Sequence, residues 1–233
     1  TYLVPADSVL SKITSQQVPF DNANLMLITH NHEDHFNDSL VVEYLNHNPE
    51  NVLVAPSLVT NAILKNQDYK KYGNQIVELD KIYQTPNDTL INGIRIRSFF
   101  LQHDSRPQIE HAGFLIGIEN FKVFHSGDYN GFETDTFGKL QLQNEQIDLA
   151  LLNYYGFWST KEERSFTEEY IHPGKIALMH IPPAEVEMIK DSVAQIKDFT
   201  EIMLFERSLD TRSISTGFQM NELMNAFAEN GQF

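Results

Sequence analysis

The sequence predicts an α/β (α+β) fold in which sheets are covered by helices. Short apolar, β-branched runs alternate along the chain with segments of helical periodicity, a pattern typical of strands and helices that pack as layers. The 233 residues include 41% hydrophobic and 21% charged side chains, which is ordinary for a folded globular protein. No repeat, low-complexity segment or linker-like stretch is present, so we expect one domain over residues 1–233.

Eight segments are predicted as strands because they are short, apolar and rich in β-branched residues. They are Leu25–Thr29, Val52–Ala55, Ile94–Gln102, Phe114–Ile118, Lys122–His125, Leu149–Leu152, Ile176–Met179 and Ile202–Phe205. Tyr2–Val4 is a further, isolated candidate. Asn120 stands between two of these runs, and we expect it to turn a hairpin there.

Four segments are predicted as helices. They are Asp38–Asn46, Ser57–Lys65, Ala184–Ile196 and Gln219–Glu229. Asn37 or Asp38 is placed to cap the first of them. The Pro182-Pro183 pair presets the start of the third, because proline is well suited to the first turn of a helix.

The charge balance argues against a polyanionic partner. The formal net charge is −15, from 32 acidic and 17 basic residues, and the densest basic pair is only Lys70-Lys71. Nucleic-acid binding needs a clustered basic surface, so we expect no nucleic-acid partner and a small-molecule substrate instead. No apolar run approaches the roughly 18–20 residues that span a bilayer, so no membrane span is predicted. The oligomeric state is left open.

The chain contains no cysteine, which removes disulfides, thiolate zinc sites and cysteine nucleophiles together. Its first residue is Thr1 rather than Met, so we expect a processed or trimmed chain. An upstream signal peptide is compatible with that start, and both a cytoplasmic and an exported location stay open.

The segment that carries chemistry is His30-x-His32-x-Asp34-His35, which directly follows the first long predicted strand. A strand end is rigid, and the loop that leaves it can turn several side chains towards one point. His30 and His32, two residues apart, can share one cation, whereas Asp34 and His35 diverge and can reach a second. Imidazole and carboxylate ligands suit zinc, manganese or iron. The alternative is a solvated polar loop in which the histidines cluster by coincidence.

Further candidate ligands lie where other predicted strands end. His103 follows one strand, Asp128 follows the hairpin and His180 follows a late strand. Gly127 permits a close backbone approach before Asp128, whose carboxylate could bridge two metals. Taken alone, His180 is equally compatible with a hydrogen-bonded core histidine. Its shared position at a strand end favours the metal-ligand interpretation.

This order of motifs resembles the metallo-β-lactamase superfamily over positions 25 to 181. The resemblance implies a four-layer αββα sandwich with the site between its two sheets. It also implies two metals, one held by His30, His32 and His103, the other by Asp34, His35 and His180, with Asp128 as the bridge. The segment Tyr170–Pro183 is similar to stand-alone metal-dependent hydrolases related to lactonases and phosphodiesterases. Members usually place a strand pair before the first histidine motif, but only 29 residues precede His30, so we expect that pair to be incomplete.

Together these features predict a metal-dependent hydrolase of a small ester, lactone or phosphodiester. Two divalent ions, zinc first and manganese or iron as alternatives, would share a water and lower its pKa towards about 7. By resemblance, Asp34 orients this water and His180 lies near the leaving group. Candidate substrate contacts are Arg106, His111 and Tyr129, although a surface salt bridge suits Arg106 equally well.

Several aromatic and imidazole side chains are further candidates for the pocket wall. His125 is one of them, and Trp158 and the Tyr154-Tyr155 pair are others, although packing under a loop is the favoured role for the aromatic residues. Three competing hypotheses stay in view. They are a non-catalytic metal-binding protein of the same fold, a nuclease of the superfamily, which the acidic charge disfavours, and a structural domain without metal.

Overall fold

A computed structural model describes residues 5–79, 86–103, 109–129, 131, 133–197, 199–206 and 209–214. Two sheets form its centre. The first contains three parallel strands in sequence order, which are β1 (Leu25–Leu27), β2 (Val52–Pro56) and β3 (Ile76–Leu79). The second contains seven strands, which are β4 (Asn87–Ile91), β5 (Ile94–Phe100), β6 (Ala112–Ile118), β7 (Phe121–His125), β8 (Leu149–Asn153), β9 (Lys175–Met179) and β10 (Glu201–Met203).

The pairing of the second sheet brings several strand ends to one edge. Strands β4 to β7 form an antiparallel meander, and β7 to β10 are parallel neighbours. Since β5 and β7 are both antiparallel to β6, they run in the same direction as each other and as β8 and β9. The carboxyl ends of these four strands therefore share an edge, and residues that follow them are brought together.

Helices cover the outer face of each sheet. They are α1 (Asp7–Thr14), α2 (Asp38–His47), α3 (Ser57–Lys65), α4 (Thr134–Leu140), α5 (Lys161–Tyr170) and α6 (Val186–Ala194). One apolar cluster joins α2 and α3 to the first sheet, and a second, with Val54, Ile96 and Phe114, lies between the sheets. A third cluster, with Phe124, Phe137 and Phe166, joins the second sheet to α4 and α5. The order of layers is therefore helix, sheet, sheet, helix, as expected.

Local sequence signals explain where the elements begin and turn. The Asn37 side chain accepts a hydrogen bond from the Leu40 N–H and so caps α2. A capping box formed by Thr160 and Glu163 starts α5. The hairpin between β6 and β7 turns at Glu119 and Asn120, and Glu119 adopts a positive φ of 53°. The predicted hairpin turn is thereby confirmed.

The predicted strands and helices are present within the described residues, with differences at their ends. The strand predicted over Leu25–Thr29 ends at Leu27, and the strand predicted over Ile94–Gln102 ends at Phe100. In both places the backbone leaves the sheet before the residues that form the site. The strand predicted over Ile202–Phe205 is Glu201–Met203. The helix predicted over Ala184–Ile196 spans Val186–Ala194. The helix predicted over Gln219–Glu229 and the strand over Tyr2–Val4 lie outside the described residues.

The charged run from Lys161 to Arg164 indicates a solvated helix start, and α5 begins there; four elements, namely α1, α4, β3 and β4, were not predicted from the sequence. Helix α5 buries only Phe166 and Thr167, so its sequence lacks a clear apolar stripe. Strand β4 is only half buried and carries Asn87 and Asp88, which hides its strand character. Within residues 5–24 the structure contains α1 and no strand. No helix in the described part of the chain is long and apolar enough to span a bilayer.

Candidate metal centre

The structure brings together all seven residues that the sequence nominated as metal ligands. Four of them follow β1 in one short loop, and the other three leave the carboxyl ends of β5, β7 and β9. They fall into two groups, within each of which the ligand atoms lie no more than 4.8 Å apart. We refer to these groups as the inner site, with His30, His32, His103 and Asp128, and the outer site, with Asp34, His35 and His180.

The inner site is almost closed to solvent. His30 has no exposed surface, and His103 and Asp128 are 7% and 8% exposed. The His30 Nε2 atom lies 3.0 Å from the Nδ1 atom of His32 and 3.8 Å from the Oδ2 atom of Asp128. The Nε2 atom of His103 lies 3.5 Å from the same Asp128 oxygen. Three imidazoles and one carboxylate oxygen therefore face a common point.

The outer site is open on one side. The Nε2 atom of His180 lies 3.4 Å from the Oδ2 atom of Asp34, and the Nε2 atom of His35 lies 3.8 Å from it. The His35 and His180 rings are stacked, with their centroids 5.3 Å apart. Asp34 is exposed, whereas the two histidines are partly buried. This site is where solvent reaches the cluster.

Asp128 stands between the two sites. Its Oδ2 atom faces His30 and His103, and its Oδ1 atom lies 3.3 Å from the Nε2 atoms of both His35 and His180. Each carboxylate oxygen is thus directed at a different group of histidines. This is the arrangement that a carboxylate bridging two cations requires.

Burial and charge set the protonation states of the inner site. Burial, reinforced by the neighbouring His35 and His111, lowers the pKa of His30 far below its usual value. For Asp128 burial alone would raise the pKa, but the adjacent imidazoles of His103 and His35, whose Nε2 atoms lie 3.5 Å and 3.3 Å from its carboxylate oxygens, outweigh burial and hold the pKa well below its usual range. His30 therefore stays a neutral imidazole and Asp128 an ionised carboxylate, which are the forms that bind metal.

The donor set fits divalent cations such as zinc. Nitrogen and oxygen ligands from histidine and aspartate are those found in hydrolytic zinc sites. The Nε2 atom of His35 and the Oδ1 atom of Asp128 are both buried and make no hydrogen bond, although they lie 3.3 Å apart. Buried polar atoms rarely go without a hydrogen bond. A cation between them would satisfy both.

Hydrogen bonds to the outer nitrogens orient two of the ligands. The Nδ1 atom of His30 lies 2.9 Å from the Thr29 hydroxyl, and the Nδ1 atom of His180 lies 3.1 Å from the Tyr155 hydroxyl. In both residues the Nε2 atom is then the one that faces the cluster. Neither Thr29 nor Tyr155 was identified from the sequence in this role. Thr29 adjoins the motif, but nothing in the sequence places Tyr155 beside His180.

The loop that carries Asp128 depends on a close approach by His111. The Asp128 N–H donates to the His111 Nε2 atom at 2.9 Å, and His111 Nδ1 faces the Leu101 carbonyl oxygen at 3.3 Å. Gly127 has φ +57°, and a Cβ built there would lie 2.2 Å from His111 Nε2. Only glycine suits this position. His111 has no exposed surface and therefore lies behind the cluster rather than in an open pocket.

The remaining predicted contacts are placed as follows. Tyr129 is fully buried in the core that the second sheet shares with α4, and its hydroxyl accepts the Glu133 N–H. Arg106 lies outside the described residues. The His125 Nδ1 atom accepts the Gly127 N–H, which places His125 in the same turn as Asp128. Trp158 and Tyr154 line a cavity beside α6.

Comparisons with known proteins show the family of the chain. A family described as "Beta-lactamase superfamily domain" matches residues 7–197. A UPF0173 metal-dependent hydrolase of Natranaerobius thermophilus is 26% identical over 210 residues, which are 86% of this chain and 84% of that protein. A UPF0173 metal-dependent hydrolase of Thermococcus onnurineus is 30% identical over 168 residues, which are 68% of this chain and 66% of that protein.

A solved structure supports the fold. The metallo-beta-lactamase fold protein YhfI of Bacillus subtilis superposes with a TM-score of 0.56 at 13% sequence identity. The match covers 86% of this chain and 82% of that one. At this level of identity the likeness concerns the fold alone, and it confirms the predicted arrangement of sheets and helices.

Proposed function

The chain belongs to the beta-lactamase superfamily as a metal-dependent hydrolase, and we propose that it cleaves a small ester, lactone or phosphodiester with a water activated between two divalent cations. The observation that carries this proposal is the position of Asp128, with one carboxylate oxygen towards each group of histidines. A single-metal site would leave one of these groups without a function.

The inner and outer sites would hold one cation each. His30, His32 and His103 would bind the first, Asp34, His35 and His180 the second, and Asp128 both. Zinc suits this donor set best, and manganese or iron can take the same ligands. When bound, such a pair of cations supplies a water of lowered pKa and neutralises negative charge that develops on the substrate.

The protein's own residues supply orientation and proton handling. Asp34 is the exposed carboxylate of the outer site, so it can accept a proton from the attacking water and fix its direction. The water oxygen bonds to the acyl carbon or phosphorus, the bond to the leaving oxygen breaks, and that oxygen ends with a proton. His180 belongs to the outer site, its Nδ1 atom lies 3.1 Å from the Tyr155 hydroxyl, and the role we assign to it is a position near the leaving group.

The substrate we propose is small. The protein carries a net charge of −15, so a long polyanion would be repelled from its surface. The metal centre lies at the edge where the strands end, and solvent reaches it through the outer site. A small substrate needs only to bring the bond that is cleaved to this opening. A nucleic acid would need a basic track, and the inner site contributes only imidazoles and a carboxylate.

The test combines metal analysis with turnover. Purified protein should contain about two divalent metal ions per chain, as this type of site requires. It should hydrolyse members of a panel of lactones, simple esters and phosphodiesters, lose that activity with a chelator and regain it on addition of zinc or manganese. Two bound ions without turnover on any member would favour a non-catalytic metal-binding protein, and less than about one ion per chain would favour a structural domain.

The role of Asp34 can be tested separately. Asp34→Asn should lower kcat at least about 100-fold, because an amide is a poor proton acceptor. Glu33→Gln is the matched control, since Glu33 is an exposed neighbour outside both metal groups. Full turnover by Asp34→Asn with both metals bound would show that this carboxylate does not orient the water.

A further inference from the structure

A cavity of about 520 Å³ opens between α6 and the loop that follows β8. Its volume lies within the range of small-molecule sites. Half of the residues that line it have aromatic or large apolar side chains, namely Tyr154, Tyr155, Trp158, Met188, Ile189 and Ile196. None of the residues proposed as metal ligands lines it. It is therefore a separate space beside the metal centre.

The ionic groups of the cavity wall are engaged with the loop itself. The Glu163 carboxylate accepts the N–H groups of Ser159 and Thr160 and the Ser159 hydroxyl. The Arg164 Nη1 atom donates to the carbonyl oxygens of Trp158 and Ser159. Glu163 and Arg164 also carry charges of opposite sign, which largely cancel. The wall therefore offers no concentrated charge to an ionic ligand, and its aromatic rings favour an apolar one.

Tyr155 joins this cavity to the metal centre. It lines the cavity, its ring packs edge-on to Tyr154 with centroids 4.6 Å apart, and its hydroxyl lies 3.1 Å from His180 Nδ1. The His180 Nε2 atom, on the opposite side of the same imidazole, belongs to the outer site. One tyrosine and one imidazole thus separate the cavity from the reacting centre.

We propose that this cavity binds an uncharged aromatic or branched aliphatic group on the substrate, while the bond to be broken lies at the outer site. This inference rests on the proposed function and adds the substrate class. Met188 lines the cavity from α6 and is 59% exposed, so its flexible apolar side chain is free to pack against a bound group. A bound phenyl or isobutyl group would cover it.

The first experiment measures substrate discrimination. Methyl and benzyl acetate, lactones that carry a methyl or a benzyl substituent, and methyl and benzyl phosphodiesters are compared with metal-loaded protein. Whichever chemistry is turned over, the benzyl member should have a kcat/KM about 10- to 100-fold above the methyl member, because binding an apolar group in a pocket typically discriminates by such factors.

Two variants test whether the discrimination arises in this cavity. Met188→Gln removes apolar surface at the rim, and Ser192→Phe fills space from the next turn of α6. Both should lower the benzyl-to-methyl ratio of kcat/KM at least about threefold. Leu64→Gln is the control, since Leu64 is an exposed apolar residue on α3, outside the cavity, and it should leave the ratio unchanged.

The second experiment measures binding without turnover. Trp158 is the only tryptophan of the chain and lines the cavity, so tryptophan fluorescence, excited at a wavelength that tyrosine does not absorb, reports on this place. Benzyl alcohol should shift the emission of metal-loaded protein saturably, and methanol at the same concentration should not. Met188→Gln and Ser192→Phe should weaken the benzyl alcohol response, and Leu64→Gln should not.

The outcomes separate this inference from the proposed function. Turnover with no benzyl preference, or with a preference that neither cavity variant lowers, overturns the inference and leaves the hydrolase intact. No turnover of any member, with a saturable Trp158 response, supports the cavity as a binding site and rejects the proposed substrates. No turnover and no fluorescence response overturns both.

Discussion

The two halves of the metal centre differ in burial although they share Asp128. The inner site places His30, His103 and Asp128 at 0%, 7% and 8% exposure. The outer site includes the exposed Asp34 and two partly buried histidines. The inner ligands come from three strand ends held against the core, whereas Asp34 lies on the surface of its loop. The inner site is therefore largely shielded from solvent, and the outer site faces it.

From this difference we expect the two cations to have different roles, one in metal affinity and structure and the other in turnover. Buried, preorganised ligands lose little conformational entropy when they bind, so the inner site should hold its metal more tightly. An open site with an exposed carboxylate can admit water and substrate. We therefore expect the inner cation to anchor the loops and the outer site to govern turnover.

The largest effect should follow from removal of the shared ligand. Asp128→Ala takes one carboxylate oxygen from each of the two sites. Metal content should fall from about two ions to less than one, and kcat/KM at least about 1,000-fold. Elemental analysis and steady-state kinetics measure both. Two retained ions would contradict the bridging position.

A matched pair of variants should then separate the two halves. His103→Ala removes an inner ligand and His180→Ala an outer one. His180→Ala should keep about one tightly bound ion and lose activity about 100-fold or more, whereas His103→Ala should lose the tight ion. Titration with a chelating indicator distinguishes them. Equal affinity profiles for the two variants would mean that burial does not separate the sites.

A smaller effect is expected from a residue behind the inner site. His111→Leu removes the acceptor of the Asp128 N–H and should weaken metal binding about 10- to 100-fold, as substitutions around metal ligands usually do. His47→Leu is the control, because His47 is an exposed residue of α2 that belongs to neither metal group. Unchanged affinity in His111→Leu would show that Gly127 alone fixes the Asp128 loop.

The smallest effect concerns pH and the metal-free protein. Burial, with the nearby His103, lowers the pKa of His111 to about 3, from about 6.5 in an unfolded chain. Since the unfolded state takes up the proton first, stability is full above about pH 6.5 and is lost as pH falls towards 3. The titration of His111 alone should lower the free energy of unfolding by about 2 kcal/mol between pH 7 and pH 5.

Urea unfolding of chelated protein at these two pH values measures this loss, with His111→Leu as the comparison. The variant should lose less stability between pH 7 and pH 5 than the parent chain. Burial also lowers the pKa of His125, to about 4, so part of the dependence should persist in the variant. An identical change in parent and variant would mean that His111 is not held neutral.

Local patterns were sufficient to predict sheets covered by helices and to nominate the seven ligand candidates, whereas the four-layer order and the division of the candidates into two sites were implied by the resemblance to the metallo-β-lactamase superfamily. His30 to His35 are contiguous, and His103, Asp128 and His180 each follow an apolar strand. Because β5, β7 and β9 run in the same direction, their carboxyl ends share one edge of the sheet, and the three residues that follow them come together.

Features that depend on tertiary packing could not be predicted. Tyr155 lies 25 positions from His180 and meets it only because β8 and β9 are parallel neighbours. His111 was nominated as a substrate contact, but the fold turns it towards the backbone of Asp128. Strand β4 was missed because its first three residues are polar, and β3 because it is only four residues long.

The most direct measurement is a crystal structure of the purified protein with anomalous scattering data collected at the zinc, manganese and iron edges. We predict two peaks about 3.5–4 Å apart, one against His30, His32 and His103 and one against Asp34, His35 and His180, with Asp128 touching both. A single peak, or two peaks of which one lies away from these ligands, would contradict the account.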